Sequence, residues 1–469
     1  MIAALLGGCD ALPASGPLVV SAIGEAPAFP ARRAPLADLP SRLLVDATAQ
    51  GLVRFDAAGQ IEPGLAERWI VLDGGASYIF RLREAYWASG TRVTADDVVR
   101  LLRRRVAAAN PLFPFLSAVD EIVVMTPQVI EIRLSKPRPD LLKLFAQPEL
   151  GLWRSARSRG SGPLRIVAPG PSPLFRPAFD PGIADPEDQR EVDRDEEVRL
   201  VGERAARAIA RFSTGGADLV SGGTFADWPL LAAAPDLPRG APRLDPAVGL
   251  FGLAIARRDG FLADPSNRAA LSAAIDRSAV LGAVMPGWEA ADRILPEALD
   301  SAAPPQVPEW SLLTLDQRRT AARARVAAWP DPVRLRVALP SGPGATLLFA
   351  QLAASMASIG IVLERGGADA DLILIDRVAP YDSGRWYIAT ACAPCGDVAT
   401  EAIVAAREAP TLPLRAERIA AADAALNADA AFIPLARPLR WSLVSPRATA
   451  WRANPRAWHP LNHLRADTN

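Results

Sequence analysis

The sequence predicts an α/β protein of two lobes with a ligand cleft between them. Three observations carry that expectation. The chain has 469 residues, half of them apolar, which exceeds what one hydrophobic core normally supports. β-Branched and alternating stretches recur between amphipathic helical ones, in the strand-helix-strand successions that build parallel sheets. Connections at about 245–256 and about 430–440 imply that the chain leaves the first lobe and later returns to it. Such a hinged pair desolvates a ligand from both sides when it closes.

"GPLVVSAIG" reads as a β-branched first strand, and residues 41–56 begin as a helix. "GLVRFDAAGQI" is a strand entering a tight turn at Asp56 and Gly59. "SYIFRLRE" alternates, with Tyr78, Phe80 and Leu82 on one face. "VTADDVVRLLRRRVAAA" starts a helix on the cap residue Thr94, with Asp96 and Asp97 where anions favour the helix dipole and Val98, Leu101, Leu102 and Val106 as its apolar stripe. "DEIVVMT" and "VIEIRLS" are further strands, and "KPRPDLLKLF" sets prolines ahead of a helix. "GSGPLRIV" is a glycine turn running into a strand, and residues 170–195, rich in Pro and Asp, read as a surface loop.

"EEVRLV", "ERAARAIARFSTG" and "ADLVSGG" then form a strand-helix-strand unit. In the second half "VGLFGLAIA" is a buried strand and "DPSNRAALSAAIDRSAVLGAVM" one amphipathic helix with Asp264 or Ser266 near its start. A Pro-rich stretch follows from 286 to 309. "PVRLRVALP", "GATLLFAQLAASMASIG" and "IVLERGGADADLILI" repeat the succession, and "FIPLARPLRWSLVSP" returns to short strands. No periodic repeat supports a solenoid.

Fifty-two Lys and Arg balance fifty-two Asp and Glu, so net charge gives no support for a nucleic-acid or anionic-membrane partner. Lysine occurs only at Lys136 and Lys143, an arginine bias that reads as the mark of a GC-rich genome rather than of a task. Three cysteines and two histidines leave little room for metal or thiol chemistry. No stretch approaches the roughly 20 apolar residues that span a bilayer. The start, "MIAALLGGCDALPASGP", resembles the lipobox of bacterial lipoproteins, which would make Cys9 the acylated residue and residues 1–16 a signal and tether. It departs from that pattern in lacking a basic residue before a short apolar run.

The run 51–102 carries a more specific likeness. Gly51, Leu52, Pro63, Leu65, Ala66, Trp69, Asp73, Gly74, Tyr78, Phe80, Leu82, Arg83, Gly90, Thr94, Ala95, Asp97 and Val98 fill the signature of bacterial extracellular solute-binding proteins of the peptide/nickel class, the dipeptide- and oligopeptide-binding components of ABC importers. "GSGPLRI", "RAARAIARFSTGGADLVSG", "SNRAALSAAIDRSAVL" and "FIPL" are similar to later landmarks of the same family, in the same order. The resemblance implies a two-lobe periplasmic-binding-protein fold of the large cluster. Lobe I would run over 17–247 with an extra subdomain at about 41–160, lobe II over 248–435, and 436–469 would return to lobe I.

It also implies a periplasmic, monomeric, non-enzymatic protein, held to the membrane only through a lipid anchor and without a cofactor or metal. That protein would capture a peptide or peptide-like solute and deliver it to an inner-membrane permease. A non-peptide solute, such as a metal chelate or a small organic molecule, is the alternative cargo. Among the landmark residues, Trp69, Arg268, Asp276 and Arg277 read as architectural. Ligand contacts are expected at Glu25 after the first strand, Trp228, Phe251 in the inter-lobe strand, and Trp386, Tyr387 and Asp397 in the family's ligand-reading segment. There the family's W-x-x-D-Y-P-D-P-like run, whose aspartate receives a peptide amine, is replaced by "WYIATACAPCGD". In an exported protein Cys392 and Cys395 of "CAPC" are read as a local disulfide, with a thiol-dependent redox enzyme as the competing possibility. His459 and His463 flank Pro460, which argues against a helix presenting both to one metal.

Overall fold

The computed structural model describes residues 15–30, 36, 38–107, 112–154, 160–178, 191–297 and 299–465. Cys9 and most of the stretch 179–195 lie outside these residues.

The chain begins with β1 (Leu18–Ile23), whose Leu18, Val20 and Ala22 are fully buried. A helix, Leu39–Thr48, follows, started by Asp38, whose carboxylate accepts the Ser41 N–H at 3.0 Å. β2 (Val53–Phe55) and β3 (Ile61–Pro63) pair antiparallel across a turn in which Asp56 Oδ1 accepts the N–H groups of Ala58 and Gln60, both at 2.8 Å. Gly59 sits in that turn at φ 72°, a conformation glycine adopts without steric cost.

β4 (Ala66–Leu72), β5 (Ser77–Leu82), β6 (Val119–Thr126) and β7 (Val129–Leu134) form an antiparallel sheet in the order β4-β5-β7-β6. The period of two in β5 turns Tyr78, Phe80 and Leu82 inward. They meet Val98 and Leu101 of the helix Ala95–Val106, which Thr94 caps through the Asp97 N–H at 3.2 Å. This block is inserted after β1 and packs into one continuous core with it.

β8 (Leu164–Ala168), β9 (Leu174–Pro177), β10 (Val198–Glu203), β11 (Leu219–Thr224) and β12 (Pro242–Asp245) rejoin β1. With β18 (Arg440–Val444), from near the chain end, they make a seven-stranded sheet ordered β12-β18-β11-β1-β10-β9-β8. β10, the helix Ala205–Ser213 and β11 are the strand-helix-strand unit read in the sequence, and β1 fills the gap between its two strands, parallel to both. The second lobe holds β13 (Gly249–Ile255), β14 (Arg334–Ala338), β15 (Val362–Arg365), β16 (Leu372–Val378) and β17 (Phe432–Ala436), ordered β15-β14-β16-β13-β17. Part of it has a core of its own around Val337, Leu348 and Leu352, which Phe225 and Ala226 join, whereas Trp386, Tyr387, Ile419 and Phe432 belong to the core of β1 and the inserted block.

Three expectations need correction. The stretch 264–285 is two helices, Pro265–Ala274 and Arg277–Gly282. Asp276 interrupts it because its carboxylate accepts the Ala279 N–H at 3.0 Å, and a short acidic side chain favours a helix start over an interior. β9 lies within the expected loop 170–195, paired to both β8 and β10. The segment after Asp382 is helical over Gly384–Ala391, and two long helices, Asp397–Glu408 and Leu412–Asp429, which the strand-centred reading did not identify, pack against each other behind it.

Candidate ligand-binding site

The chain passes between the two sheets at residues 246–248, from β12 to β13, and again at 437–439, from β17 to β18. Polar links pin both passages. Asp245, at the end of β12, accepts the Asn454 N–H at 2.9 Å and meets His459 Nε2 at 3.1 Å, all three residues being buried. Arg440, at the start of β18, donates to Asp376 Oδ1 at 2.8 Å and to the Asp376 carbonyl at 3.2 Å. Asp376 belongs to β16, opposite Phe251, so this ion pair ties the sheet of one lobe to the sheet of the other. Burial pushes the Asp376 carboxyl up, against the opposing pull of Arg440. A crevice of about 580 Å³ beside the passages is lined in part by Val248, Trp288, Arg437 and Leu439.

Away from the passages the lobes meet through the segment following β16. Ala379 donates its N–H to Val248 O at 2.9 Å, and its carbonyl accepts Arg456 at 2.7 Å. The Pro380 carbonyl accepts Gln147 Nε2 at 2.7 Å, and Tyr381 stands edge-on to Phe115 with ring centroids 5.7 Å apart. Asp382 pairs with both Arg456 and Lys143. Ser383 then caps the helix Gly384–Ala391, its hydroxyl accepting the Arg385 N–H at 3.3 Å and donating to Asp300. Asp300 also accepts the Gly384 N–H at 2.6 Å and pairs with Arg415 at 2.7 Å, and Arg415 reaches Asp140 of the inserted block at 3.3 Å. A cavity of about 330 Å³ lies here, lined by Pro139, Asp140, Asp300, Asp382, Leu412 and Arg415.

On the other side, the loop after β11 docks on the second lobe. The Ala226 carbonyl accepts the Gly344 N–H at 2.9 Å at the start of the helix Pro343–Ala357, and Phe225 joins the second lobe's core. A side chain at Gly344 would fall 1.9 Å from the Phe225 carbonyl oxygen, so only glycine permits this approach.

The residues chosen from the sequence are dispersed. Phe251 is 1% exposed and packed between Phe225 and Trp288, with centroids at 5.0 and 4.7 Å. Trp386 and Tyr387 are 5% and 1% exposed, edge-on to each other at 4.9 Å in the first core. They were expected as contacts in the family's ligand-reading segment, and the helix Gly384–Ala391 turns them inward. Trp228 is half-buried against Trp441 at 6.5 Å and touches the cores of both lobes. Glu25 is exposed just after β1, and Asp397 is exposed in the first turn of the helix Asp397–Glu408, where an anion suits the helix dipole.

Cys392 and Cys395 form a disulfide that joins the end of one helix to the start of the next, Cα to Cα 4.9 Å. His459 and His463 go to different partners, His463 meeting Glu62 at 2.8 Å. No group of His, Cys, Asp and Glu able to hold a metal is present among the described residues. Trp69, Arg268 and Arg277 are structural, the two arginines holding backbone carbonyls around the helices that carry them.

The polar residues joining the lobes, Arg138, Arg415, Arg440, Arg456, Asp300 and Asp376, were not singled out in the sequence. The signal was the arginine bias itself, since Arg415 (2% exposed), Arg138 (1%) and Arg456 (6%) are buried cations spent on cross-lobe links rather than a neutral surface habit. Which arginines these were had no local mark.

Residues 60–160 match the bacterial extracellular solute-binding proteins, family 5 Middle. A stretch of 71 residues is 44% identical to the "Probable deoxycholate-binding periplasmic protein YgiS" of Escherichia coli (strain K12), covering 14% of this chain and 13% of that protein. In fold the likeness runs the whole length. Haemophilus influenzae OppA in complex with RPPGFSPFR superposes with a TM-score of 0.78 over 96% of this chain and 99% of that one, at 16% identity. The Escherichia coli murein tripeptide binding protein MppA gives 0.77 over 96% and 98% at 18% identity, whereas an unliganded open form of MppA gives 0.67. In sequence, residues 60–160 are similar to family 5 of the bacterial extracellular solute-binding proteins, the chain matches less than a quarter of the length of its curated relatives, and over its whole length it shares the two-lobe fold of OppA and MppA.

Proposed function

We propose that this protein is the substrate-binding component of an ABC importer, which captures an oligopeptide or peptide-like solute by hinge closure and presents it to an inner-membrane permease. The observation that carries the reading is the construction of the lobe junction. Two short passages connect separate sheets, and hydrogen bonds and ion pairs centred on 379–384 and Asp376–Arg440 cross the junction beside apolar contacts such as Phe115–Tyr381 and Phe225–Phe251. Polar contacts of this kind exchange for water at small net cost, so the junction can part and re-form.

Capture needs no covalent step. A micromolar solute requires about 8 kcal/mol of net binding free energy, and closure must remain reversible for release to the permease. The names of the relatives, an oligopeptide-binding OppA with a bound peptide and a murein tripeptide binding protein, support a peptide-like cargo. The periplasm is the proposed location, with Cys9 as the lipid attachment and the monomer as the working form. Glu25, beside the end of β1, Trp228, between the two cores, and Asp397, in the first turn of its helix, are the sequence-chosen residues that retain access in this structure.

Native mass spectrometry of the protein purified from cells tests the reading. A series of bound peptide masses is the expected result, and a single non-peptide mass would replace the cargo while keeping the role. No bound mass, together with no change in radius of gyration or melting temperature across a peptide library, would overturn solute capture.

A further inference from the structure

A cavity of about 850 Å³ lies within the second lobe, between the helices Pro265–Ala274, Leu315–Ala327 and Leu412–Asp429 and the segment 306–313. Every residue lining it falls between Ser266 and Pro434, so the first lobe supplies no wall and the cavity is apart from the cleft between the lobes. Its size is that of a pocket for a small molecule, about 300–1,000 Å³. The walls are mostly apolar. Ala273, Ala322 and Phe432 are buried in them, and Leu312 and Leu313 stand at the rim, 91% and 44% exposed.

One carboxylate opens into these walls. Asp423, on the helix Leu412–Asp429, is 3% exposed and lines the cavity. Its Oδ2 accepts the Gln306 N–H at 2.8 Å, which accounts for one oxygen by holding the segment 306–313. Its Oδ1 accepts no hydrogen bond among the described residues and is not sealed by protein, so it faces the cavity. No cation balances it. Of the two arginines on the lining, Arg325 is held by Asn267 at 3.0 Å and Asp264 at 3.4 Å, and Arg318 lies over the Trp310 ring at 5.2 Å with its Nε enclosed by protein. The other acids on the lining, Asp292 and Glu309, add negative charge. A buried carboxylate with a single hydrogen bond takes up a proton or a cation. Burial accordingly pushes this carboxyl up to about 6, opposed only by the Gln306 N–H.

We propose that the second lobe holds an accessory site, separate from the cleft, for a small molecule that carries a primary ammonium group on an apolar body. The ammonium pairs with Asp423 Oδ1, and the body lies against Ala273, Ala322 and Phe432. An ammonium supplies the positive charge that the carboxylate lacks, and it has only donors to offer a group that has only acceptors. A neutral molecule of the same shape would fill the walls and leave the charge uncompensated. The site does not depend on what the cleft carries.

The test is isothermal titration of the full chain at pH 8 with phenethylamine and with phenethyl alcohol, its neutral counterpart, repeated on Asp423→Asn and Ala424→Trp. Asp423→Asn keeps an oxygen for the Gln306 N–H and removes the charge. Ala424 is exposed on the same helix and lines the cavity, so a tryptophan there obstructs it without entering a core. Wild type should bind the amine at least about 10-fold more tightly than the alcohol, Asp423→Asn should lose that preference, and Ala424→Trp should weaken the amine by a similar factor. Equal affinity of wild type for the two probes, or no binding of the amine at millimolar concentration, would overturn the site. A loss in Asp423→Asn with none in Ala424→Trp would put the amine elsewhere and overturn it too. Without any probe, Asp423→Asn should melt at pH 8 no lower than wild type, and a lower melting temperature would mean that the carboxylate already has its partner within the fold. Capture in the cleft is read separately, by native mass spectrometry, so the failure of either reading leaves the other standing.

Discussion

The inserted block at 51–150 and the segment 376–391 of the second lobe are both buried and both rich in aromatic residues, but they are held in different ways. In the block, Tyr78, Phe80 and Phe145 pack edge-on or stacked at 5.9 to 6.3 Å, and helix and sheet share one apolar core. In the segment, Trp386 and Tyr387 anchor the inner face of a helix, while the preceding residues reach the opposite lobe through Gln147, Lys143, Arg456 and Asp140 by way of Arg415. Apolar packing is lost whole when two surfaces separate, whereas polar contacts are largely replaced by water. On the proposed hinge motion, the difference marks the polar contacts ahead of the helix as the ones that part and the apolar core as the part that stays.

The largest effect expected from breaking that contrast is at Phe80. Phe80→Ala deletes a fully buried ring and should cost about 3–5 kcal/mol of unfolding free energy, read by urea denaturation. A change below about 1 kcal/mol would mean that the block is not held by this core.

The charge-held side should respond to pH. The helix Leu412–Asp429, which carries Arg415 behind the segment, also carries Asp423, 3% exposed, whose carboxyl burial pushes up from 3.8 to about 6 against one hydrogen bond from the Gln306 N–H at 2.8 Å. A carboxyl raised on folding binds more protons in the native state between those values. Its contribution to stability is therefore full below about pH 4, declines as pH rises through about 6, and is gone above. The total is up to about 3 kcal/mol. The stability difference between wild type and Asp423→Asn, followed from pH 3.5 to 8, should show this decline, and a flat difference would remove Asp423 from the account.

Asp300 sharpens the comparison at the junction itself. Asp300→Ala leaves the Gly384 N–H and the Ser383 hydroxyl without their acceptor and Arg415 with Asp140 alone, a loss of about 2 kcal/mol. The smallest change in folding is expected at Asp382, which is 45% exposed. Asp382→Asn should alter unfolding free energy by less than about 1 kcal/mol, yet increase the radius of gyration of the unliganded protein in small-angle scattering by favouring the open form. Strong destabilisation without opening would show that this contact belongs to the fold and not to the hinge.

The fold was legible where physics is local. Alternation in "SYIFRL", the Thr94 cap ahead of a 3.6-residue stripe and the glycine turn at Gly59 each follow from contacts within a few residues, and each is found in the structure. The helix over Gly384–Ala391 was harder. Its eight residues make little more than two turns, and its start depends on Ser383 being held by Asp300 and Arg415, both distant in sequence. The likeness to the family's ligand-reading segment pointed to Trp386 and Tyr387, and in this structure the helix turns both rings into the core. Phe251 lies in a strand buried on both faces, which has no side that the sequence marks as open.

The sequence by itself determined that the chain is α/β, that its strands and helices alternate in two sets, and that the run from Gly51 to Leu102 carries the family's signature, because hydrophobic period, caps and turns act over short distances. Tertiary structure alone decided which strands are neighbours, with β1 between β10 and β11 and β18 between β11 and β12. It also decided which of the many arginines are buried and paired, as Arg268, Arg277 and Arg415 are. Burial and charge compensation are sums over residues brought together from the whole chain, so no single stretch of sequence contains them.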